Sequence, residues 1–196
     1  MSHISAVITA SGMAERFGSD KLMYIVNSIP IIHYTMENVL KAGFYERLIV
    51  LRNSELKQYA VNHGFIPVWN DEYKKGMSQS IILGIKNVSE NSDAAMIIPG
   101  DLPMMPSDYL NSLISHFNTH GKGIAGFLMH GSPVSPVIFS RKYFKELLDL
   151  NGDRGGKPVI KRHMDDFTGM EAPDDSLMDI DTLDDARAFE KIIHKS

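Results

Sequence analysis

Arg16 and Lys21 follow a small-residue loop, Thr9-Ala10-Ser11-Gly12, which is entered from the apolar β-branched run ending at Val7-Ile8. Backbone N–H groups of such a loop can approach a polyphosphate closely, and a guanidinium with an ammonium can neutralise it. The loop carries neither GxxxxGK followed by Ser or Thr nor GxGxxG, so a plain β-to-α turn with solvated charges is an equal reading of it taken alone. Gly100-Asp101-Leu102-Pro103 closes another apolar run, Ala94–Ile98. A carboxylate there can leave the core and hold a hard cation such as Mg²⁺, or it can be a solvated turn residue. Asp179 and Asp181 alternate around Ile180 and so share one side of an extended segment, where two like charges suit a metal or simply water.

The remaining polar clusters are less specific. In Gly76-Met77-Ser78-Gln79-Ser80, Ser78 can cap a helix, and Ser78, Gln79 and Ser80 can read a base or ribose. Asp153, Arg154 and Lys157 sit in a Gly-rich stretch that is either a surface turn or a second anion contact. His116 and His120 have helical spacing without the Glu of a zinc-protease helix, which favours packed or solvated imidazoles. Met77, Met104 and Met105 read as core filler.

The elements that must position these groups alternate. Short apolar strands are expected at Ile4–Thr9, Leu48–Leu51, Ile66–Trp69, Ala94–Ile98, Gly123–Met129 and Val137–Phe139. Between them lie helical patterns, one with Ile31, Ile32, Thr35, Met36, Val39 and Leu40 on a single face and Gly43 at its end. Ser54 is the expected cap of a helix to Asn62, and further helices are expected at Ser78–Val88, Ser107–Phe117, Arg141–Leu150, Lys157–Asp165 and Asp184–His194. A short apolar piece, Leu177–Ile180, precedes the last. This alternation predicts an α/β fold with a mainly parallel central sheet. In such sheets ligands bind beyond the carboxyl ends of the strands, where both the Ala10–Gly18 loop and Asp101 fall.

The 196 residues fit one domain, residues 1–196, with one substantial core. A net charge of −4 argues against non-specific nucleic-acid binding, so an anionic substrate must meet a local cluster of cations. The absence of cysteine excludes disulfides, thiolate metal sites and cysteine nucleophiles. With no signal-like start and no apolar run long enough for a membrane span, a cytoplasmic protein without membrane contact is expected.

Taken in order, the segments resemble the MobA-like nucleotidyltransferases, and most of all their molybdenum cofactor cytidylyltransferase branch. The resemblance rests on Thr9-Ala10-Ser11-Gly12 with Arg16-Phe17-Gly18 and Lys21, Trp69 with Gly76-Met77-Ser78-Gln79-Ser80 and Gly84, Gly100-Asp101-Leu102-Pro103, Ser135-Pro136-Val137-Ile138-Phe139, Gly152-Asp153-Arg154-Gly155-Gly156, and Asp179-Ile180-Asp181-Thr182. Three positions depart from the pattern. Ser11 replaces Ala or Gly, Phe17 replaces Met, and Ser135 stands where the cofactor branch has His.

The resemblance implies a three-layer Rossmann-like nucleotidyltransferase fold. It also implies transfer of CMP from CTP to the terminal phosphate of molybdopterin, with Mg²⁺ and release of pyrophosphate. Thr9, Ala10, Ser11, Gly12, Ser78, Gln79, Ser80 and Gly100 then line the nucleotide, while Arg16, Lys21 and Asp101 carry the chemistry. Asp101, Asp179 and Asp181 are the metal candidates. Ser135, Asp153, Arg154 and Lys157 face the acceptor, and a molybdenum hydroxylase is a possible client. A guanylyltransferase, a sugar- or polyol-phosphate nucleotidyltransferase and a non-catalytic cofactor-binding accessory protein are the alternatives. The missing GxGxxG speaks against an NAD-dependent oxidoreductase.

Overall fold

The computed structural model describes residues 2–12, 20–172 and 179–193. Arg16, Phe17, Gly18, Leu177 and His194 lie outside the described residues. In chain order the strands and helices are β1 (Ile4–Ala10), β2 (Ile25–Val26), β3 (Ile29–Pro30), α1 (Ile31–Lys41), β4 (Glu46–Leu51), α2 (Ser54–Asn62), β5 (Ile66–Trp69), α3 (Met77–Asn87), β6 (Ala94–Pro99), α4 (Ser107–His120), β7 (Ile124–Met129), β8 (Ser132–Ser140), α5 (Phe144–Leu148), α6 (Lys157–Arg162), β9 (Phe167–Glu171) and α7 (Leu183–Ile193).

Seven strands form one sheet in the order β5-β4-β1-β6-β8-β7-β9. Strand β8 runs antiparallel to both its neighbours, and every other pairing is parallel. Parallel strands covered on both faces read as continuous apolar runs, which is why β1, β4 and β6 are legible in the sequence.

Alternation sends Ile4, Ala6 and Ile8 of β1 into one core with Ile32 and Met36 of α1, Leu56 of α2 and Leu110 and Leu113 of α4. Val7 enters the opposite core with Ile81 and Ile85 of α3, Leu147 of α5 and Val159 of α6. The result is the expected three layers, helix–sheet–helix. A third, smaller cluster of Val26, Ile31, Ile180, Ala186 and Phe189 joins α7 to the β2–β3 hairpin.

Several local expectations are corrected. Asn53 rather than Ser54 caps α2, its side-chain oxygen accepting from the backbone N–H groups of Glu55 and Leu56. Helix α1 ends in extended Ala42, one residue before Gly43. The Lys157 helix stops at Arg162 and is followed by a 3-10 turn, Met164–Asp166. The hairpin β2–β3 and strand β9 are additional elements. The first turns through Asn27 and Ser28, both in the left-handed region, and the second is only half-buried.

Candidate active site

Parallel pairing aligns the carboxyl ends of β5, β4, β1 and β6 along one edge of the sheet. Thr9–Gly12, Asn70 and Gly100–Asp101 therefore emerge together. Gly100 donates its N–H to the Thr9 carbonyl at 3.1 Å, and its own carbonyl accepts from the Thr35 hydroxyl at 3.0 Å. A Cβ at Gly100 would stand 2.9 Å from Ile32 Cδ1 and 3.2 Å from the Thr9 carbonyl oxygen, so a side chain at this junction between β1 and β6 would require its neighbours to shift.

Lys21 reaches this edge from a 3-10 turn, Lys21–Met23, anchored by buried Leu22. Its ammonium donates to Asp101 Oδ2 at 2.7 Å and to Asp181 Oδ1 at 2.9 Å. Fully buried Ile180 holds the second carboxylate in place. Its side chain packs in the α7 cluster while its N–H donates to the Asp101 carbonyl at 3.2 Å, so the flanking Asp179 and Asp181 are carried to the same place. Asp185 adds a brace, its Oδ2 accepting from the N–H groups of Asp181 and Thr182.

Burial pulls the Lys21 ammonium down, but the Asp101 and Asp181 carboxylates outweigh it and leave its pKa above the usual lysine value. Protein atoms crowding the Asp179 carboxyl, and then the charges of Asp101 and Asp181, push that group up to about 6. Two carboxylates thus hold one ammonium, and the Asp179 carboxyl lies near enough to feel all three charges.

Among the described residues no three carboxylates or imidazoles form a ready metal cage. Mg²⁺ does not require one, because it is usually held by one or two carboxylates together with substrate phosphates. The excess of negative charge, with oxygen donors alone, fits such a cation.

On the α3 side, the segment Gly152–Asp153 docks against the first helical turn. The Ser78 hydroxyl donates to the Gly152 carbonyl at 2.6 Å and its N–H donates to the same oxygen at 3.1 Å, while Asp153 Oδ1 accepts from the Met77 N–H at 3.0 Å. Gly76, at φ 95°, occupies the N-cap position that the sequence suggested for Ser78, and a Cβ there would fall 2.2 Å from Asp153 Oδ1. Asp153 therefore acts as the cap, supplied from a distant loop.

Ser80 and Ser11, both buried, share a 2.6 Å hydroxyl hydrogen bond, and Gln79 donates to Glu72 at 3.0 Å. Arg154 and Lys157 are exposed. Ser135 is also exposed, beside the register shift of β8 opposite Gly126 and Phe127, and β8 carries it toward the carboxyl end of β6.

Two contributors went unassigned in the sequence. Ile180 looks like a spacer between acids, and only its burial shows that it anchors them. Asn70 lies among polar residues, yet it is 0% exposed.

Residues 6–167 match the family model described as "MobA-like NTP transferase domain". A probable molybdenum cofactor guanylyltransferase of Thermococcus sibiricus is 27% identical over 57% of this chain, a stretch that covers 55% of that protein. The molybdenum cofactor cytidylyltransferase of Escherichia coli is 25% identical over 190 residues, which span 94% of each chain. In three dimensions the chain is similar to a nucleotidyl transferase of Methanothermobacter, with a TM-score of 0.83, 22% identity and 98% of each chain covered. A Mycobacterium tuberculosis protein solved in complex with manganese superposes with a TM-score of 0.75 at 20% identity, over 96% of this chain and 98% of that one.

Proposed function

Because the chain belongs to the MobA-like NTP transferase family, we propose that it transfers CMP from CTP to the terminal phosphate of molybdopterin. The observation that carries the reading is the meeting of Lys21 with Asp101 and Asp181 at the sheet edge where the Thr9–Gly12 loop emerges.

A phosphate oxygen of the acceptor attacks the α-phosphorus, a new P–O bond forms, and the bond to the bridging oxygen of the β-phosphate breaks to release pyrophosphate. A phosphate monoester, with a second pKa of about 6, is already anionic at neutral pH and needs no protein base. Positioning and charge stabilisation then carry the rate.

Backbone N–H groups of Ser11 and Gly12 line the triphosphate, and Lys21, with Arg16, neutralises charge on the α-phosphoryl oxygens and the departing pyrophosphate. Of the three residues expected to read base and ribose, Gln79 faces the nucleotide, while the Ser78 and Ser80 hydroxyls lie buried behind it and support the wall. Asp153, Arg154, Lys157 and Ser135 flank the acceptor side. Asp101, with Asp179 or Asp181, would hold Mg²⁺, which supplies charge neutralisation to the phosphates when bound.

GTP is the second reading, favoured by the guanylyltransferase names of several relatives. Ala10, in place of a second glycine in the loop, supports CTP. The deciding experiment follows pyrophosphate release with CTP, GTP, ATP and UTP, each with Mg²⁺ and molybdopterin, beside Asp101→Ala. Release with CTP that is lost in the variant supports the reading, release with GTP alone transfers it to the guanylyl reaction, and no release with any NTP overturns it.

A further inference from the structure

Asn70 closes β5's exit and is completely buried, although it carries an amide with two donors and an acceptor. Its surroundings fix which way the amide points. The Oδ1 atom accepts from the Glu72 N–H at 3.0 Å, so the Nδ2 atom is the one that donates to Ser11 Oγ, at 2.8 Å. The Asn70 N–H in turn donates to the Leu51 carbonyl at 2.9 Å, at the end of β4. Ser11 Oγ passes the connection to Ser80 Oγ on the first turns of α3.

Three side chains that are 0%, 1% and 3% exposed thus tie the loop after β1 to the end of β5 and to α3. Buried polar groups of this kind specify one arrangement when every member is satisfied and are costly when one is removed. Ser11 is the position where the chain carries a hydroxyl in place of the family's small apolar residue, and Asn70 is the amide that makes this hydroxyl tolerable inside. Neither side chain points to solvent.

We propose that Asn70 is a positioning residue: through Ser11 it sets the backbone of Ser11 and Gly12 at the height needed to meet the triphosphate. The proposal rests on the nucleotidyl-transfer reading and goes beyond it by separating residues that hold the loop from residues that touch the nucleotide. Loss of the amide frees the loop without removing any group that contacts substrate, so its effect falls on nucleotide affinity more than on turnover.

The test compares wild type, Asn70→Ala, Ser11→Ala and the double variant, using steady-state kinetics and amide hydrogen exchange by NMR at residues 10–12. Asn70→Ala is expected to raise the KM for the NTP by about tenfold, the scale of one buried hydrogen bond, with kcat changed by no more than about threefold. Exchange at residues 10–12 is expected to accelerate while the centre of β6 keeps its protection. The double variant is expected to be no worse than the worse single variant, because both residues act through one contact. An unchanged KM in folded Asn70→Ala overturns the proposal, as does a double variant whose KM effect is the product of the two singles. If wild type releases no pyrophosphate with any NTP, the transfer reading fails on its own. The exchange arm then decides: acceleration confined to residues 10–12 supports the positioning role of Asn70, and unchanged exchange there overturns it.

Discussion

The Lys21 ammonium stands 2.7 Å from Asp101 Oδ2, in an ion pair closed across 80 residues of sequence, with the two side chains only 14% and 21% exposed. Asp181, the second partner at 2.9 Å, is 56% exposed. The cation proposed for the phosphates is therefore held, in the free protein, by the carboxylates proposed for the metal. Nucleotide and divalent cation together would relieve this arrangement, the phosphates taking the ammonium while the cation takes the carboxylates.

Replacing Lys21 by Met consequently separates two effects. Transfer is expected to slow by roughly 10²–10³, the usual loss on removing one preorganised charge donor. Binding of Mn²⁺ to the nucleotide-free protein, read by electron paramagnetic resonance, is expected to tighten, because Asp101 and Asp181 lose their competing ammonium. Slower transfer with weaker Mn²⁺ binding would contradict the exchange of partners.

The carboxylates should not be equivalent. Asp101 lies in the turn two residues after β6 and is the less exposed, whereas Asp181 is braced through Ile180 and Asp185. Asp101→Asn is expected to cut kcat by about 10² or more, and Asp181→Asn to act mainly by raising the metal concentration for half-maximal activity, about tenfold. Titrations with Mg²⁺ at saturating nucleotide distinguish the two, and equal kcat losses at saturating metal would argue against the assignment.

Strands β1, β4 and β6 were legible because a parallel sheet covered on both faces needs unbroken apolar runs, and with the edge strand β5 they deliver the edge where the site forms. Strand β9 was not, since Phe167–Glu171 is only half-buried and contains Gly169, which packs against Leu128 and leaves no alternating signature. Within the site, Asp101 and the Thr9–Gly12 loop announce themselves at strand ends. The Lys21–Asp101–Asp181 contacts do not, because they depend on Ile180 finding a core built by α7 and the β2–β3 hairpin. Ser78 illustrates the limit of capping signals: a serine before an apolar period fits an N-cap, yet its hydroxyl accepts from no helix N–H and instead donates to the Gly152 carbonyl of a distant loop.

Away from the site, Asp166 should govern part of the acid stability. Burial pushes its carboxyl up, but the Lys142 ammonium and the Tyr143 hydroxyl, at 2.7 and 2.6 Å, outweigh that and hold it at about 2 against 3.8 when unperturbed. A depressed carboxyl stabilises the fold above its unfolded pKa, and that contribution is lost as pH falls from near 4 through about 2. Asp166→Asn is expected to cost on the order of 1–2 kcal/mol at pH 7 and to flatten the loss of stability between pH 4 and 2. Urea unfolding across that range measures both, and an unchanged pH slope would show that the pairing does not persist in solution.

Ile180 provides the last test, because it connects core packing to charge placement. Its side chain is fully buried with Val26, Ile31, Ala186 and Phe189, and its N–H reaches the Asp101 carbonyl. Truncation to Ala removes buried methyl groups and should destabilise the chain by about 2–4 kcal/mol. The loss should not stop at stability. With the anchor shortened, Asp179 and Asp181 no longer hold a fixed distance from Lys21, so activity of the folded protein is expected to fall about tenfold with a raised Mg²⁺ requirement. Ile180→Val, which keeps the β-branched shape and removes one methyl, should cost about 1 kcal/mol and leave the metal requirement near wild type. A full loss of stability in Ile180→Ala without any change in metal dependence would mean that the two carboxylates are positioned by Asp185 and Lys21 alone.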